Sequence, residues 1–222
     1  MTRTKTSSLP AFTPAERRLI QRLRTPEAVQ RFLNQLPYNT EQRGDTLRSF
    51  RQVVRRRTAH CLEAALFAAC VLEQHGYPPL LLTFESVDHL DHVLFLYREN
   101  GRWGTVARSR DPGLHGRKPV FKTLRALTMS YFDAYIDATG CIEGFSSYDL
   151  RKLSDYDWRF ARRNMWKVER TLIEVPHRRI KFSQAYVDSM RARYNAYREK
   201  YGKKPLFYSG RRTWTPIPKE FL

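Results

Sequence analysis

The sequence predicts an α+β fold in which one buried helix precedes an antiparallel sheet and further helices lie at both ends of the chain. Three observations predict it. The run from His60 to His75 is rich in Ala and Leu, contains no glycine or proline, and meets Gly76 at its end. That is the pattern of a helix buried nearly all round and closed by a glycine cap. Beyond Tyr77-Pro78-Pro79, the apolar runs Leu80 to Phe84 and His92 to Tyr97 read as buried strands, separated by the acidic, polar loop Glu85 to Asp91. Arg98-Glu99-Asn100-Gly101-Arg102 then has hairpin-turn chemistry, with Trp103 to Ala107 as the returning strand.

The flanking elements follow from caps and periodicity. Thr13-Pro14-Ala15-Glu16 is an N-cap followed by proline at the first helical position, and Thr25-Pro26-Glu27 repeats the signal for a second helix whose Val29, Phe32, Leu33 and Leu36 fall at helical spacing before Pro37. From Thr46 to Arg57 the apolar residues Leu47, Phe50, Val53 and Val54 share one face and five arginines take the other, the pattern of a solvated face. Leu124 to Tyr135 is amphipathic, and helical stretches are expected at about 154–165 and 183–201. Residues 1–12 read as a lead-in and 202–222, with three prolines, as an extended tail. The expected organisation is a helical N-terminal part over 1–45, a core over 46–140, and a basic, aromatic extension over 141–222 packed on that core as one structural domain.

Composition bounds the function classes. With 41% hydrophobic and 13% aromatic residues the chain has enough apolar surface to fold, which excludes a wholly disordered protein. Forty Lys plus Arg against 22 Asp plus Glu give a net charge of +18, a field that favours polyanions, acidic proteins or an anionic membrane surface. The three cysteines, Cys61, Cys70 and Cys141, are widely spaced with no CxxC pair, so neither a disulfide framework nor a cysteine-rich zinc site is indicated and a cytoplasmic setting is expected. The basic, polar N-terminus carries no secretion signal, and no apolar run is long enough to anchor the chain in a membrane.

The chemistry concentrates on two residues. A nucleophilic cysteine must ionise, and the start of a helix favours the thiolate through its exposed N–H groups and dipole. Cys61 sits at such a boundary, between Thr58-Ala59-His60 and the apolar run from Leu62; Cys70 lies deep inside that run. A base should come from a neighbouring element, and His92 opens a strand 31 residues later, after a helix, a proline turn and one strand.

His60-Cys61-Leu62-Glu63-Ala64-Ala65, Gly76-Tyr77-Pro78-Pro79, Asp88-His89-Leu90-Asp91-His92-Val93 and Gly101-Arg102-Trp103-Gly104 together resemble the bacterial transglutaminase-like superfamily over about residues 55–135. The resemblance implies a papain-like core with Cys61 heading the central helix as nucleophile, His92 as base, and thioester chemistry at an amide carbonyl, by hydrolysis or transfer, without a cofactor. It also implies an acidic third residue on the strand after the hairpin, and there the sequence departs, for Val106 to Ser109 contains no carboxylate. Ser109 or Asp111 are the candidates to orient the imidazole, with Asp91 or Asp88 as substitutes from the loop. His60, Asp91 and Trp103, which flank the pair within the resembling motifs, are the expected substrate-binding residues.

Two rival readings use other features. Asp88, His89, Asp91 and His92 could form a metal loop, but strand residues three apart point to opposite faces, so no metal is assigned. The segments 155–167 and 191–201 interleave cations and aromatic rings as single-strand nucleic-acid sites do, although Tyr194, Tyr197 and Tyr201 fall on one helical face that suits packing. The alternative function is therefore a binding module of the same fold, its site degraded, that engages nucleic acid or another polyanion through its basic surface.

Overall fold

The computed structural model describes residues 11–42, 44–88 and 91–201. The lead-in at 1–10, the tail at 202–222 and His89 of the metal-loop reading lie outside the described residues, as do the side chains of Tyr197 and Tyr201. Helix α1 (Pro14–Arg22) opens on a reciprocal cap in which the Thr13 hydroxyl accepts the Glu16 N–H at 3.2 Å and the Glu16 carboxylate accepts the Thr13 N–H at 2.7 Å. The Thr25 and Ser49 hydroxyls cap α2 (Pro26–Asn34) and α3 (Phe50–Arg56) by accepting the Ala28 and Gln52 N–H groups. Helix α4 (Cys61–Glu73) is buried continuously from Leu62 to Leu72, as its unbroken apolar composition requires.

The sheet comprises β1 (Leu80–Ser86), β2 (His92–Glu99), β3 (Arg102–Val106), β4 (Arg117–Phe121), β5 (Ile142–Asp149) and β6 (Arg178–Arg179). Their order is β4-β3-β2-β1-β5-β6, and every neighbouring pair is antiparallel. The chain is α+β. Both faces are covered, which explains why β2 is apolar without alternation. Val93, Phe95 and Tyr97 join the core around α1–α4, whereas Leu94 and Leu96 point into a second core. That second core is filled by α5 (Leu124–Tyr135), through Leu127, Tyr131 and Phe132, and by α7 (Gln184–Tyr201), through Val187, Met190 and Tyr194.

Strand β5 and the segment 154–165 depart most from the sequence expectation. Strand β5 falls where the sequence reads only as a shift in composition, yet it pairs with β1 along its length, from Leu80 opposite Asp149 to Ser86 opposite Ile142. Residues 154–165 are not a helix; α6 (Trp166–Glu174) begins only after them. The Asp157 carboxylate accepts the N–H groups of Arg159 and Phe160, a local bond that competes with helix formation. The backbone of the segment is spent on α3: the Ser49 hydroxyl donates to Ala161 O, Gln52 to Arg162 O, and the Arg51 N–H to Arg159 O. Trp158 is buried and Arg159 pairs with Glu73, so this run of cations and rings packs on the body.

Gln30 ties α2 to the far end of β3 and the loop beyond it. Its amide bonds both backbone groups of Ala107, donating to the carbonyl at 2.7 Å and accepting from the N–H at 2.9 Å, and it also accepts the Gly116 N–H at 3.2 Å. All of these groups are buried. Gln30→Leu keeps the volume but strands three main-chain groups, so a loss of about 3 kcal/mol, or roughly 5–10 °C in melting temperature, is expected in a calorimetric scan. A melting temperature unchanged within a degree or so would contradict this bracket.

Candidate functional site

The site forms where the N-terminus of α4 meets the start of β2. Cys61 is the first residue of α4 and is half-buried. His92 is the first residue of β2, is buried, and hydrogen-bonds the Cys61 sulfur. Nε2 of His92 donates to the Leu114 carbonyl at 3.0 Å, which fixes the ring and turns its other nitrogen to the thiol. Cys61 and His92, expected to pair from their spacing, are thus brought together.

A second imidazole reaches the same sulfur. His60, one of the expected substrate-binding residues, is the N-cap of α4 with an extended backbone, outside the helical spacing. Its ring hydrogen-bonds Cys61, and its Nε2 donates to Thr46 O at 2.9 Å. Burial on its own would raise the Cys61 thiol, but the hydrogen bonds from His60 and His92 outweigh it and hold the thiol well below its ordinary value of 9.0. Burial on its own would lower His60, but the Cys61 sulfur and Glu63 outweigh that and push it up to about 9. Cys70, buried with no such partners, has its thiol pushed well up.

Beneath the site lies Glu63, fully buried in the first turn of α4. One carboxylate oxygen accepts from the Thr46 hydroxyl at 2.9 Å and the Arg48 N–H at 3.0 Å; the other accepts from Asn39 Nδ2 and the His60 N–H, both at 3.1 Å. It therefore joins the cap of α4 to the segment 39–48. The spacing of His60 and Glu63 is that of a capping box, a signal present in the sequence.

The loop from Ser109 to Gly116 carries the orienting group. Ser109 and Asp111, expected to orient the imidazole, build the loop: the Ser109 hydroxyl accepts the Asp111 N–H at 3.2 Å, and the Asp111 carboxylate accepts the Gly113 N–H at 2.7 Å. The bond to Nε2 of His92 comes from the Leu114 carbonyl, a partner that no side-chain pattern can reveal. The Arg117 guanidinium, itself buried, braces this loop by donating to Gly113 O at 2.7 Å and His115 O at 2.6 Å, on either side of Leu114, with its plane 3.6 Å over the Tyr131 ring.

Of the expected substrate-binding residues, only His60 is at the sulfur. Asp91 is exposed and accepts the Ser86 N–H at 3.1 Å, closing the loop between β1 and β2. Trp103 packs with the second core and against Arg98, away from the face of the sheet that α4 covers. Two tyrosines that the sequence reading did not single out lie within electrostatic reach of Cys61. Tyr38 is placed by a parallel bridge to Ala59, and burial and the Cys61 charge push its phenol up. Tyr135, on α5, is raised by burial, by Asp91 and by Cys61. Arg108 and Arg110 both lie over the Tyr38 ring, at 5.8 and 5.6 Å. Arg108 also donates to Leu36 O and shares its other end between Ser109 O and His115; burial first, then Arg108, lowers that imidazole to about 4, so it stays neutral. Among the described residues no group of three or more metal-ligating side chains occurs, and no helix is long and apolar enough to cross a membrane.

The arrangement defines a thiol–imidazole site on an α+β scaffold, with the sulfur at a helix N-terminus and the imidazole on an adjoining strand. No protein-family model matches the chain. It is similar to tubulinyl-Tyr carboxypeptidase 1 of Mus musculus, with 26% identity over 147 residues that make up 58% of this chain and 37% of the mouse protein. The chain spans little more than a third of that relative's length.

Proposed function

We propose that the chain is a cysteine-dependent peptide hydrolase that acts through a thioester. The observation that carries this reading is the contact of the Cys61 sulfur with the His92 ring at the head of α4, where the thiol is held well below its ordinary range. The thiolate attacks the substrate carbonyl carbon. The oxyanion that forms is held by the Cys61 backbone N–H at the helix start and by the Tyr38 hydroxyl. The C–N bond then breaks as His92 gives its proton to the departing amine. Water attacks the thioester carbon, passing a proton to His92, and the C–S bond breaks to return the thiolate. An amine in place of water would make the same site a transamidase, which is the activity the transglutaminase-like resemblance also implies; the likeness to a carboxypeptidase favours water.

The same likeness favours a substrate with a free C-terminus, and the guanidinium groups of Arg108 and Arg110 around Tyr38 suit its carboxylate. The test is to incubate the full chain with peptides that end in a free carboxylate and with the same peptides amidated, and to follow products by mass spectrometry. Loss of C-terminal residues from the free peptides alone is the expected result. Equal cleavage of both forms would remove the part assigned to the arginines. Cleavage of neither, together with Cys61 alkylation no faster than that of Cys141, would overturn the hydrolase.

A further inference from the structure

We propose that Arg117 is the positioning residue for His92: its buried guanidinium holds the peptide units on either side of Leu114, so that the Leu114 carbonyl orients the imidazole as an acidic side chain would. The proposal rests on the thiol-hydrolase reading above and deepens it by naming what keeps the base in place.

A main-chain carbonyl carries no net charge and sits here in a loop, so it guides an imidazole only if its direction is fixed. Nε2 of His92 lies 3.0 Å from the Leu114 oxygen, which can only accept, so that nitrogen keeps its hydrogen and Nδ1 is turned to the Cys61 sulfur. The same arrangement serves both halves of the reaction. Nδ1 takes the thiol proton and later gives it to the departing amine, while Nε2–H stays on the carbonyl throughout. If the Leu114 peptide turned, Nε2 would lose its partner, and the ring could rotate off the sulfur or carry its hydrogen on the wrong nitrogen.

Arg117, the first residue of β4, opposes that turn. Its Nη2 donates to Gly113 O at 2.7 Å and its Nη1 to His115 O at 2.6 Å. The carbonyls before and after Leu114 thus face the guanidinium, and the one between them is left to His92. The Tyr131 hydroxyl donates to His115 O as well, at 3.0 Å, and the Leu114 N–H donates to Asp111 O at 3.0 Å. Gly113 lets the loop lie directly on α5, since a Cβ there would stand 2.8 Å from that of Ala134.

The guanidinium is itself fixed. Nε donates to Ser130 Oγ and Nη2 to Ser130 O, both at 3.1 Å, and the Arg117 N–H donates to Thr105 Oγ1 at 3.0 Å. With the Tyr131 ring stacked against it, the side chain is fully buried. A chain of contacts therefore runs from α5 and β3 through Arg117 to the Leu114 carbonyl and His92. Burying a cation is unfavourable, and an apolar residue of similar volume would serve packing alone at least as well. The planar fork is what reaches two carbonyls at once; a lysine would keep the charge without that fork.

The test uses the full chain with Arg117→Lys, Arg117→Met and Ser130→Ala. Arg159→Met, which breaks the ion pair with Glu73 at the far end of α4, controls for lost stability alone. The readouts are kcat and KM for the free-carboxylate peptide, the rate of Cys61 alkylation near pH 6 with Cys141 as internal control, and the solvent exchange of the His92 Nε2–H proton by NMR. Both Arg117 variants are expected to lower kcat by about tenfold or more with KM changed by less than about threefold. They should also slow alkylation by about fivefold and quicken the exchange by about tenfold or more. Arg159→Met is expected to lower the melting temperature and leave all of these readouts unchanged. Arg117→Lys with the kcat and exchange rate of the unsubstituted protein would overturn the proposal and leave the Cys61–His92 reading standing. So would Arg159→Met losing as much kcat as Arg117→Met at an equal fall in melting temperature. Where the Arg117 variants do not fold, Ser130→Ala, which removes the Oγ acceptor of Nε, decides: faster Nε2–H exchange supports the proposal, and an unchanged rate overturns it. Cys61 reacting no faster than Cys141 in the unsubstituted protein would overturn the hydrolase reading and with it the part given to Arg117.

Discussion

Cys61→Ala is expected to lower peptide hydrolysis by about 10⁴-fold or more while shifting the melting temperature by only a few degrees. The size follows from the chemistry. Without the sulfur there is no thioester, and the reaction falls back on whatever the oxyanion donors and substrate binding supply, which in thiol and hydroxyl enzymes is a small remnant of the full rate. The small structural cost follows from position: Cys61 is half-buried at the first position of α4, and that turn is capped by the bond between the His60 N–H and Glu63, not by the thiol. Alanine also has the highest helix propensity. Cys70→Ala is the matched control. It opens a small void in the fully buried middle of α4, costing about 1 kcal/mol, and leaves turnover unchanged. Activity is measured by product formation from the free-carboxylate peptide; retention of more than about a hundredth of it in Cys61→Ala would refute the covalent step.

Glu63→Leu is expected to be the most destabilising single substitution near the site, by about 3–5 kcal/mol, or on the order of 10 °C in melting temperature. Four donors converge on this buried carboxylate: the Arg48 and His60 N–H groups, the Thr46 hydroxyl and the Asn39 amide. Leucine fills the space but satisfies none of them, and each stranded donor carries a desolvation cost. Glu63→Gln should lie between, since its amide oxygen still accepts two bonds while its NH₂ group faces two donors. The functional consequence follows from the same contacts. Loss of the carboxylate frees the segment 39–48 and removes the nearest counter-charge of His60, so Cys61 alkylation at low pH should fall along with stability. Glu63→Leu melting within about 1 °C of the unsubstituted protein would show that the network does not hold the site together.

Several elements of this fold were legible from local physics alone. Thr13, Thr25 and the prolines after them mark the starts of α1 and α2 because cap geometry is set within four residues. The continuous apolar run after Cys61 and the runs of β1 and β2 announce burial on all sides, and the turn Asn100-Gly101 takes the positive φ values that its residues favour. From the order helix, strand, strand, the pairing of Cys61 with His92 could be read 31 residues apart, because a helix packed on a short antiparallel meander leaves few places for its ends to meet. The likeness to a tubulinyl-Tyr carboxypeptidase was not among the sequence readings, whose motifs suggested the transglutaminase-like superfamily.

By itself, then, the sequence determined the α+β class, the buried helix with a cysteine at its head, and the histidine that opens the neighbouring strand, because each depends on periodicity, capping or burial that neighbouring residues encode. Only the tertiary structure decided what surrounds that pair. The insertion of β5 beside β1, the strap at 154–165 held to α3 by its backbone, the Leu114 carbonyl on His92, the phenol of Tyr38 and the turn of His60 toward the sulfur all involve partners far apart in the chain or main-chain atoms common to every residue. Such bonds carry no local signature: a carbonyl oxygen is present at every position, and which one meets an imidazole is fixed only when the loop, its buried arginine and the strand have packed together.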